Sequence, residues 1–278
     1  MAAIIEQGSF FMRSSLTPIA DALTHVLSVA RPQTATERVG LRSVLGRVLA
    51  HDVVAGLDVP AFDNSAMDGY AVDHRDCAIA GVTLAVSQYL KAGQVGAPLV
   101  KGTAARIFTG APMPVGATAV VMQENAEAAG DGVRILQVPH ASENVRRAGH
   151  DVAAGSVVLQ RGRRLQPQDM GLLASLGLSE VNVFKPLTVT LINTGDELQQ
   201  QGRPLLPGQI YDSNSFTLSA LLQQLGITVV RLGIVGDDLT ATKTALQQAA
   251  AGSDCVISTG GVSVGEADYV RGAVEALG

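Results

Sequence analysis

Three apolar, β-branched runs separated by helical patterns constrain the fold of this chain more than any other feature. The runs occupy residues 188–192, 227–235 and 254–258. Strands that alternate with helices form right-handed βαβ units around a parallel sheet. Parallel strands end at one common edge, where open α/β sheets bind their ligands. We therefore expect a ligand site in the loops that follow these runs.

These loops combine glycines with carboxylates: Thr194-Gly195-Asp196-Glu197, Gly236-Asp237-Asp238, and Thr259-Gly260-Gly261 followed by Gly265-Glu266-Ala267-Asp268. Exposed backbone N–H groups bind phosphate, and carboxylate oxygens bind a divalent cation. Helix capping explains Asp238 and Glu266. For Glu197, Asp237 and Asp268 we favour a functional role, because clustered like charges are costly unless a cation such as Mg²⁺ offsets them.

The glycine-rich stretch 259–265 has two interpretations. It is a flexible turn, or it is an anion-binding loop between a strand and a helix. The local pattern does not choose between them. The sequence lacks both the phosphate-binding motif of P-loop nucleotidases and the glycine motif of dinucleotide-binding folds.

The preceding two thirds of the chain have a different texture. Helical periodicity is found at 17–31, at 44–49 and again at 167–176, where Gly177 ends the pattern. Between them, glycines and prolines separate short β-prone runs. The predicted fold class is α/β plus an inserted β domain, with a parallel α/β domain that is incomplete at its C-terminus. The predicted domains are a helical linker domain at 13–51 and 150–186, a β domain at 52–149 and an α/β domain at 187–278.

Composition excludes some classes of function. A net charge of −5 argues against nucleic acid as a partner, and no apolar run reaches membrane-spanning length. The two cysteines, Cys77 and Cys255, are far apart, which favours free thiols in a reducing compartment. We expect a cytoplasmic protein that binds neither nucleic acid nor membrane.

A polar block at 58–72 is too rich in structured residue types to be a linker. Local turns formed by the side chains of Asp63 and Asn64 explain those two residues. They do not explain Ser65, Met67 and Asp68 as readily. By local pattern alone, Thr109 and Asp151 are turn residues.

At this block the chain resembles the molybdopterin molybdenumtransferases, the MoeA family that includes the E domain of gephyrin. The resemblance rests on collinear motifs: Phe62-Asp-Asn-Ser-Ala-Met-Asp-Gly-Tyr70, Thr109-Gly-Ala-Pro-Met-Pro114, Val120-Val-Met-Gln-Glu124, Asn144-Val-Arg-Arg147, Gly195-Asp-Glu-Leu198, Ile210-Tyr-Asp-Ser-Asn214 and Gly260-Gly-Val-Ser-Val-Gly-Glu-Ala-Asp268. Their order covers nearly the whole chain.

The resemblance implies Mg²⁺-dependent insertion of molybdate into adenylylated molybdopterin, with release of AMP. It also implies a homodimer, with the site between the inserted domain of one subunit and the α/β domain of the other. A further candidate partner is the molybdopterin adenylyltransferase. The implied roles are catalytic for Asp68, Glu197 and Asp237, metal-binding for Glu197, Asp237 and Asp268, and substrate-binding for Thr109, Asp151, Thr194, Gly260, Gly261 and Ser263.

The family continues beyond the last motif with further loops and a small β domain, so the resemblance leads us to expect a C-terminally truncated member. Two alternatives stay open. The first is molybdopterin adenylylation, against which the inserted 62–70 block argues. The second is a non-catalytic fragment that binds pterin or acts as a scaffold.

Overall fold

The structure, a computed structural model, describes residues 17–261 and 269–278. The helices are α1 Ile19–Val29, α2 Pro167–Ser175, α3 Asn214–Gln224, α4 Leu239–Gly252 and α5 Tyr269–Leu277. The strands are β1 Thr36–Gly40, β2 Val53–Val54, β3 Asn64–Ser65, β4 Gly69–Val72, β5 Thr83–Leu90, β6 Thr103–Ile107, β7 Ala119–Met122, β8 Ala126–Ala129, β9 Gly132–Ile135, β10 Val145–Arg146, β11 Val157–Leu159, β12 Glu180–Phe184, β13 Thr188–Thr194, β14 Leu198–Gln199, β15 Ile210–Tyr211, β16 Thr228–Val235 and β17 Cys255–Thr259.

The chain divides into two compact units. The β unit contains Gly40–Leu45 and Leu49–Val181, and the α/β unit contains Gly46–Val48, Asn182–Gly278 and the described residues before Gly40. Strands and helices are thus mixed as the sequence predicts. The compact units do not follow the domain bounds expected from the sequence, because residues 150–181 belong to the β unit. The three-domain division stays a prediction.

The β unit is built on a six-stranded sheet in the order β7-β4-β6-β5-β9-β8. Neighbouring residues on its central strands point to opposite faces, as pleated strands require. Val72 and Ala104 enter one buried cluster with Cys77, whereas Ala71 and Ala105 enter another with Ile107. This sheet is therefore packed on both faces.

The α/β unit contains a parallel three-stranded sheet in the order β16-β13-β17. Central strand β13 is buried over nearly its whole length, whereas neither β16 nor β17 contains a fully buried residue. Ile192 packs against Ala245 and Ala249 of α4. The alternation read from the sequence is confirmed, and the three loops after these strands share one edge of the sheet.

The helix predicted from periodicity at 44–49 is not formed. Residues 41–43 form a single 3-10 turn, and the helical pattern at 44–49 is not a helix. Gly46 adopts φ +78°, which breaks a right-handed helix. Leu49 then pairs through its backbone with Gly162 and Arg163. The apolar spacing there reflects burial of Val44 and Leu49 rather than a helical face.

Within the described residues, no helix has the length and apolar character needed to cross a membrane.

Candidate functional site

Asp68 and Thr109, both predicted from the resemblance, lie in contact within the β unit. The Thr109 backbone N–H and its hydroxyl both donate to Asp68 Oδ1, each over 2.8 Å. Asp68 directly precedes β4 and Thr109 follows β6, and these strands are antiparallel neighbours. The two hydrogen bonds from Thr109, helped by the charge of Arg106, hold the pKa of Asp68 below its ordinary value. Asp68 is therefore an ionised, preoriented carboxylate.

The 62–70 block is fixed by residues far along the chain. Asp63 accepts hydrogen bonds from the Ala148 backbone N–H and from the Arg147 guanidinium, which lower its pKa in that order of effect. Ala66 N donates to Asn144 O over 2.9 Å. The Asn144-to-Arg147 motif thus has a structural explanation, because it clamps the loop that carries Asp68.

A second cluster lies at the carboxyl edge of the parallel sheet, where Asp196 and Asp237 bind each other's loops. Asp237 N donates to Asp196 Oδ1 over 3.1 Å, and Asp196 N donates to Asp237 Oδ2 over 3.3 Å. Gly195 precedes them with φ +146°, and the Glu197 carboxylate lies over its α-carbon. Three carboxylates from two loops are therefore adjacent to this edge.

The glycines of the third loop lie directly above Thr194. A Cβ on Gly260 would be 2.5 Å from Thr194 O, and one on Gly261 would be 2.9 Å from Thr194 Oγ1. Thr194 itself is buried. Gly260 and Gly261 have φ +85° and +64°, so both backbone conformation and space require glycine. This packing gives Thr194, Gly260 and Gly261 a structural role, and their substrate-binding role stays a prediction.

Asp151 lies in the same unit as the Asp68–Thr109 pair, and its contacts are with His150 and Val59. Its carboxylate is exposed and contacts His150 Nδ1 at 3.0 Å, while its backbone N–H donates to Val59 O. Its substrate-binding role stays a prediction. Ser263 and Asp268 lie outside the described residues, as does Glu266.

Two residues that were not predicted as site residues, Asn193 and Asp212, contribute to the cluster at the sheet edge. Asn193 Nδ2 donates to Asp212 Oδ1 and to Thr259 Oγ1, over 3.1 and 2.7 Å, and joins β13 to β17 beneath the loops. Asp212 also accepts from Ser215 N and Oγ in the first turn of α3. A buried Asn at the end of an apolar strand and an Asp three residues before Ser were the available signals.

The donor chemistry at the sheet edge fits Mg²⁺, since this ion is bound by hard oxygen ligands and often by only one or two carboxylates plus phosphate. Asp196 and Asp237 each accept one backbone hydrogen bond, which leaves a second carboxylate oxygen on each. Across residues 17–261 and 269–278, no group of three or more metal-ligating side chains is assembled. The metal ligands Glu197, Asp237 and Asp268 stay a prediction.

With this geometry in view, known families account for both parts of the chain. A family described as the MoeA N-terminal region, domains I and II, matches residues 17–177. A second family, described as a probable molybdopterin binding domain, matches residues 190–278. The chain therefore belongs to the MoeA family, and the resemblance drawn from its motifs is confirmed.

Individual relatives agree. A molybdopterin molybdenumtransferase of Haemophilus influenzae is 42% identical over 88% of this chain and 61% of its own length. Molybdopterin molybdenumtransferase 2 of Mycobacterium tuberculosis is 42% identical over 90% of this chain and 62% of its own. The molybdopterin biosynthesis MoeA protein of Pyrococcus horikoshii OT3 superposes with a TM-score of 0.83 at 35% identity, covering 88% of this chain and 67% of that one. The chain thus spans about three fifths of the length of the curated relatives.

Proposed function

We propose that this chain acts in molybdenum cofactor biosynthesis as a molybdopterin molybdenumtransferase, inserting molybdate into adenylylated molybdopterin with release of AMP. One observation supports the proposal: the Asp68–Thr109 pair lies within the first family match and the Asp196–Asp237 contact within the second. Two families that match in order along one chain favour this activity over adenylylation alone, since the N-terminal match covers residues 17–177.

The chemical problem is to bring two anions together, a pterin phosphate and an oxyanion. Exposed backbone N–H groups of the Gly260–Gly261 loop would bind the phosphate. Mg²⁺, held by Asp237 with Glu197 and Asp268, would neutralise negative charge on the nucleotide phosphate. Asp68 would act as an ionised group that orients a substrate N–H or O–H, with Thr109 fixing its direction.

We also propose a homodimer, a cytoplasmic location and the molybdopterin adenylyltransferase as a partner that supplies the adenylylated substrate. In the family's arrangement, Asp68 and Thr109 of one subunit complete the site formed by the sheet-edge carboxylates of the other subunit. Free thiols at Cys77 and Cys255 support a reducing compartment.

The test is AMP release by the purified chain supplied with adenylylated molybdopterin, Mg²⁺ and molybdate. Molybdate-dependent release that is lost in Asp68→Asn and in Asp237→Asn would support the proposal. Partial recovery on mixing these two inactive variants would support the homodimer, because one site per mixed dimer would be intact. Tight substrate binding without release would instead favour a pterin-binding fragment, and absence of binding would contradict the proposal.

A further inference from the structure

Arg106 of β6 was not singled out from the sequence, but its side chain lies beside the loop that carries Asp68. It is opposite Tyr70 in the pairing of β4 with β6, so both side chains stand on one face of the sheet. Its guanidinium carbon is 5.1 Å from the Tyr70 ring centre and 4.6 Å from that of Phe108. Cation–π contact on both rings fixes the position of the charge.

The guanidinium also binds one backbone carbonyl and one side-chain amide beside the Asp68 loop. Arg106 Nη1 donates to Gly69 O over 2.8 Å, and Nη2 donates to Gln123 Oε1 over 2.7 Å. Gln123 N in turn donates to Asp68 O over 3.0 Å. Arg106 therefore holds Gly69 O directly, and it also binds Gln123, whose backbone N–H holds Asp68 O.

This fixation depends on the planar fork of arginine. A guanidinium reaches two acceptors at once while it stacks on aromatic rings, whereas a lysine ammonium supplies a single point charge. Phe108 directly precedes Thr109, so the same stack fixes the strand end that presents the Thr109 donors. Arg106 thus acts on both partners of the Asp68–Thr109 contact.

We propose that Arg106 is a positioning residue of the reaction, which holds the Asp68 carboxylate against the Thr109 donors. The inference rests on the proposed function, because it gives Asp68 a role toward the substrate. Arg106 does not itself contact the reacting groups in this proposal. The charged and titratable groups around Asp68 are Arg106, Tyr70 and Glu124, the last of which accepts from Gln123 Nε2 over 3.4 Å.

The experiment compares Arg106→Gln and Arg106→Lys with Arg134→Gln. Arg134 is an exposed arginine on β9 of the same sheet, 4.0 Å from Glu127, and it is the matched control. Carbon-13 NMR of aspartate carboxyls in the full chain follows the titration of Asp68, whose signal is assigned by its loss in Asp68→Asn. Binding of adenylylated molybdopterin is measured on the same samples, so the structural readout does not depend on turnover.

We expect the Asp68 titration to move toward the ordinary carboxyl range in Arg106→Gln, together with a shifted Thr109 amide signal. Substrate affinity should fall on the order of 10-fold, since small misplacements of an orienting group reduce function strongly. Arg106→Lys should restore the titration because it keeps the charge, but it should restore only part of the affinity. Arg134→Gln should match the wild type.

Three outcomes separate the proposals. An unchanged Asp68 titration and Thr109 signal in Arg106→Gln would overturn the inference. Wild-type affinity in Arg106→Gln, where Asp68→Asn loses affinity, would overturn it as well. Wild-type affinity in Asp68→Asn would overturn the site given under the proposed function, whatever Arg106 does.

Discussion

The two carboxylate clusters are held in different ways. In the β unit, Asp68 accepts two 2.8 Å hydrogen bonds on a sheet whose two faces are both buried. In the α/β unit, Asp196 and Asp237 exchange contacts of 3.1 and 3.3 Å, at the edge of a sheet in which only the central strand is buried. One cluster is preorganised by its own core, and the other depends on a lightly packed edge. We therefore expect local openings to cost more free energy in the β unit.

The largest expected effect is on the pairing of β4 with the edge strand β7 in the β unit. A Cβ on Gly69 would be 2.0 Å from the Val121 carbonyl oxygen, so Gly69→Ala must move backbone. We expect a loss of about 3 kcal/mol of unfolding free energy, at the upper end of overpacking costs. Urea denaturation with hydrogen exchange on β4 and β7 measures it.

The control for this change is Gly171→Ala on α2, where no atom lies within 4 Å of the added methyl group. An alanine inside an exposed helix stabilises by up to about 1 kcal/mol relative to glycine. Equal effects of the two substitutions would contradict the expected difference between the two units, because they would show that the pairing of β4 with β7 tolerates displacement.

The reactivity of the two free cysteines compares the closed core of the β unit with the more open α/β unit. Burial raises the pKa of Cys77 from 9.0 to about 11, whereas Cys255, the first residue of β17, is exposed. A two-unit rise lowers the thiolate fraction about 100-fold at neutral pH, and only the thiolate is alkylated. Native iodoacetamide labelling followed by mass spectrometry should modify Cys255 at least about 100 times faster. Comparable rates would contradict a closed β core.

The raised pKa of Cys77 also makes the stability of the β unit depend on pH. Above pH 9 the thiol of Cys77 ionises in the unfolded chain but not in the folded one until about pH 11. The β unit should therefore lose stability as pH rises across that range. A Cys77→Ala variant should lack this pH-dependent component.

A matched pair of charge removals compares a buried acid with an exposed one. Asp169 is buried, accepts two bonds from Arg163 and one from Gln166 N, and its pKa is lowered chiefly by Arg163. Asp169→Asn should cost about 1–2 kcal/mol, since a helix cap and a half-exposed ion pair are lost together. This stabilisation is complete above the ordinary carboxyl pKa of 3.8 and disappears as pH falls through the lower folded value.

The smallest effect is expected from Asp196→Asn in the α/β unit. Its carboxylate is exposed and accepts one 3.1 Å bond, which an amide oxygen can also accept. Thermal unfolding should therefore change by less than about 0.5 kcal/mol. A cost equal to that of Asp169→Asn would show that the sheet edge is as tightly organised as the β unit.

Much of the α/β unit could be predicted because its signals are local. The runs at 188–192 and 254–258 coincide with β13 and β17, and Asp238 caps α4. In the β unit, Gly177 follows the end of α2 with positive φ, as the sequence predicts. Asp68 and Thr109 were predicted as site residues only through the family resemblance, and the contact between them, which spans 41 residues, was not predicted. The contacts of Arg106 could not be predicted, because its aromatic and carbonyl partners are determined by strand register, which the sequence pattern does not reveal.

The clamp on the 62–70 loop has a consequence for any attempt to transplant this signature. The turns of the 62–70 loop are held by Asn144, by Arg147 and by Ala111 O, which accepts from Ser65 N. These contacts with residues far along the chain offset most of the conformational entropy that the loop loses when it becomes ordered. A nine-residue peptide with this sequence would be an unstructured chain in water. A portable unit would have to run from the start of this loop through Ala148, which donates to Asp63.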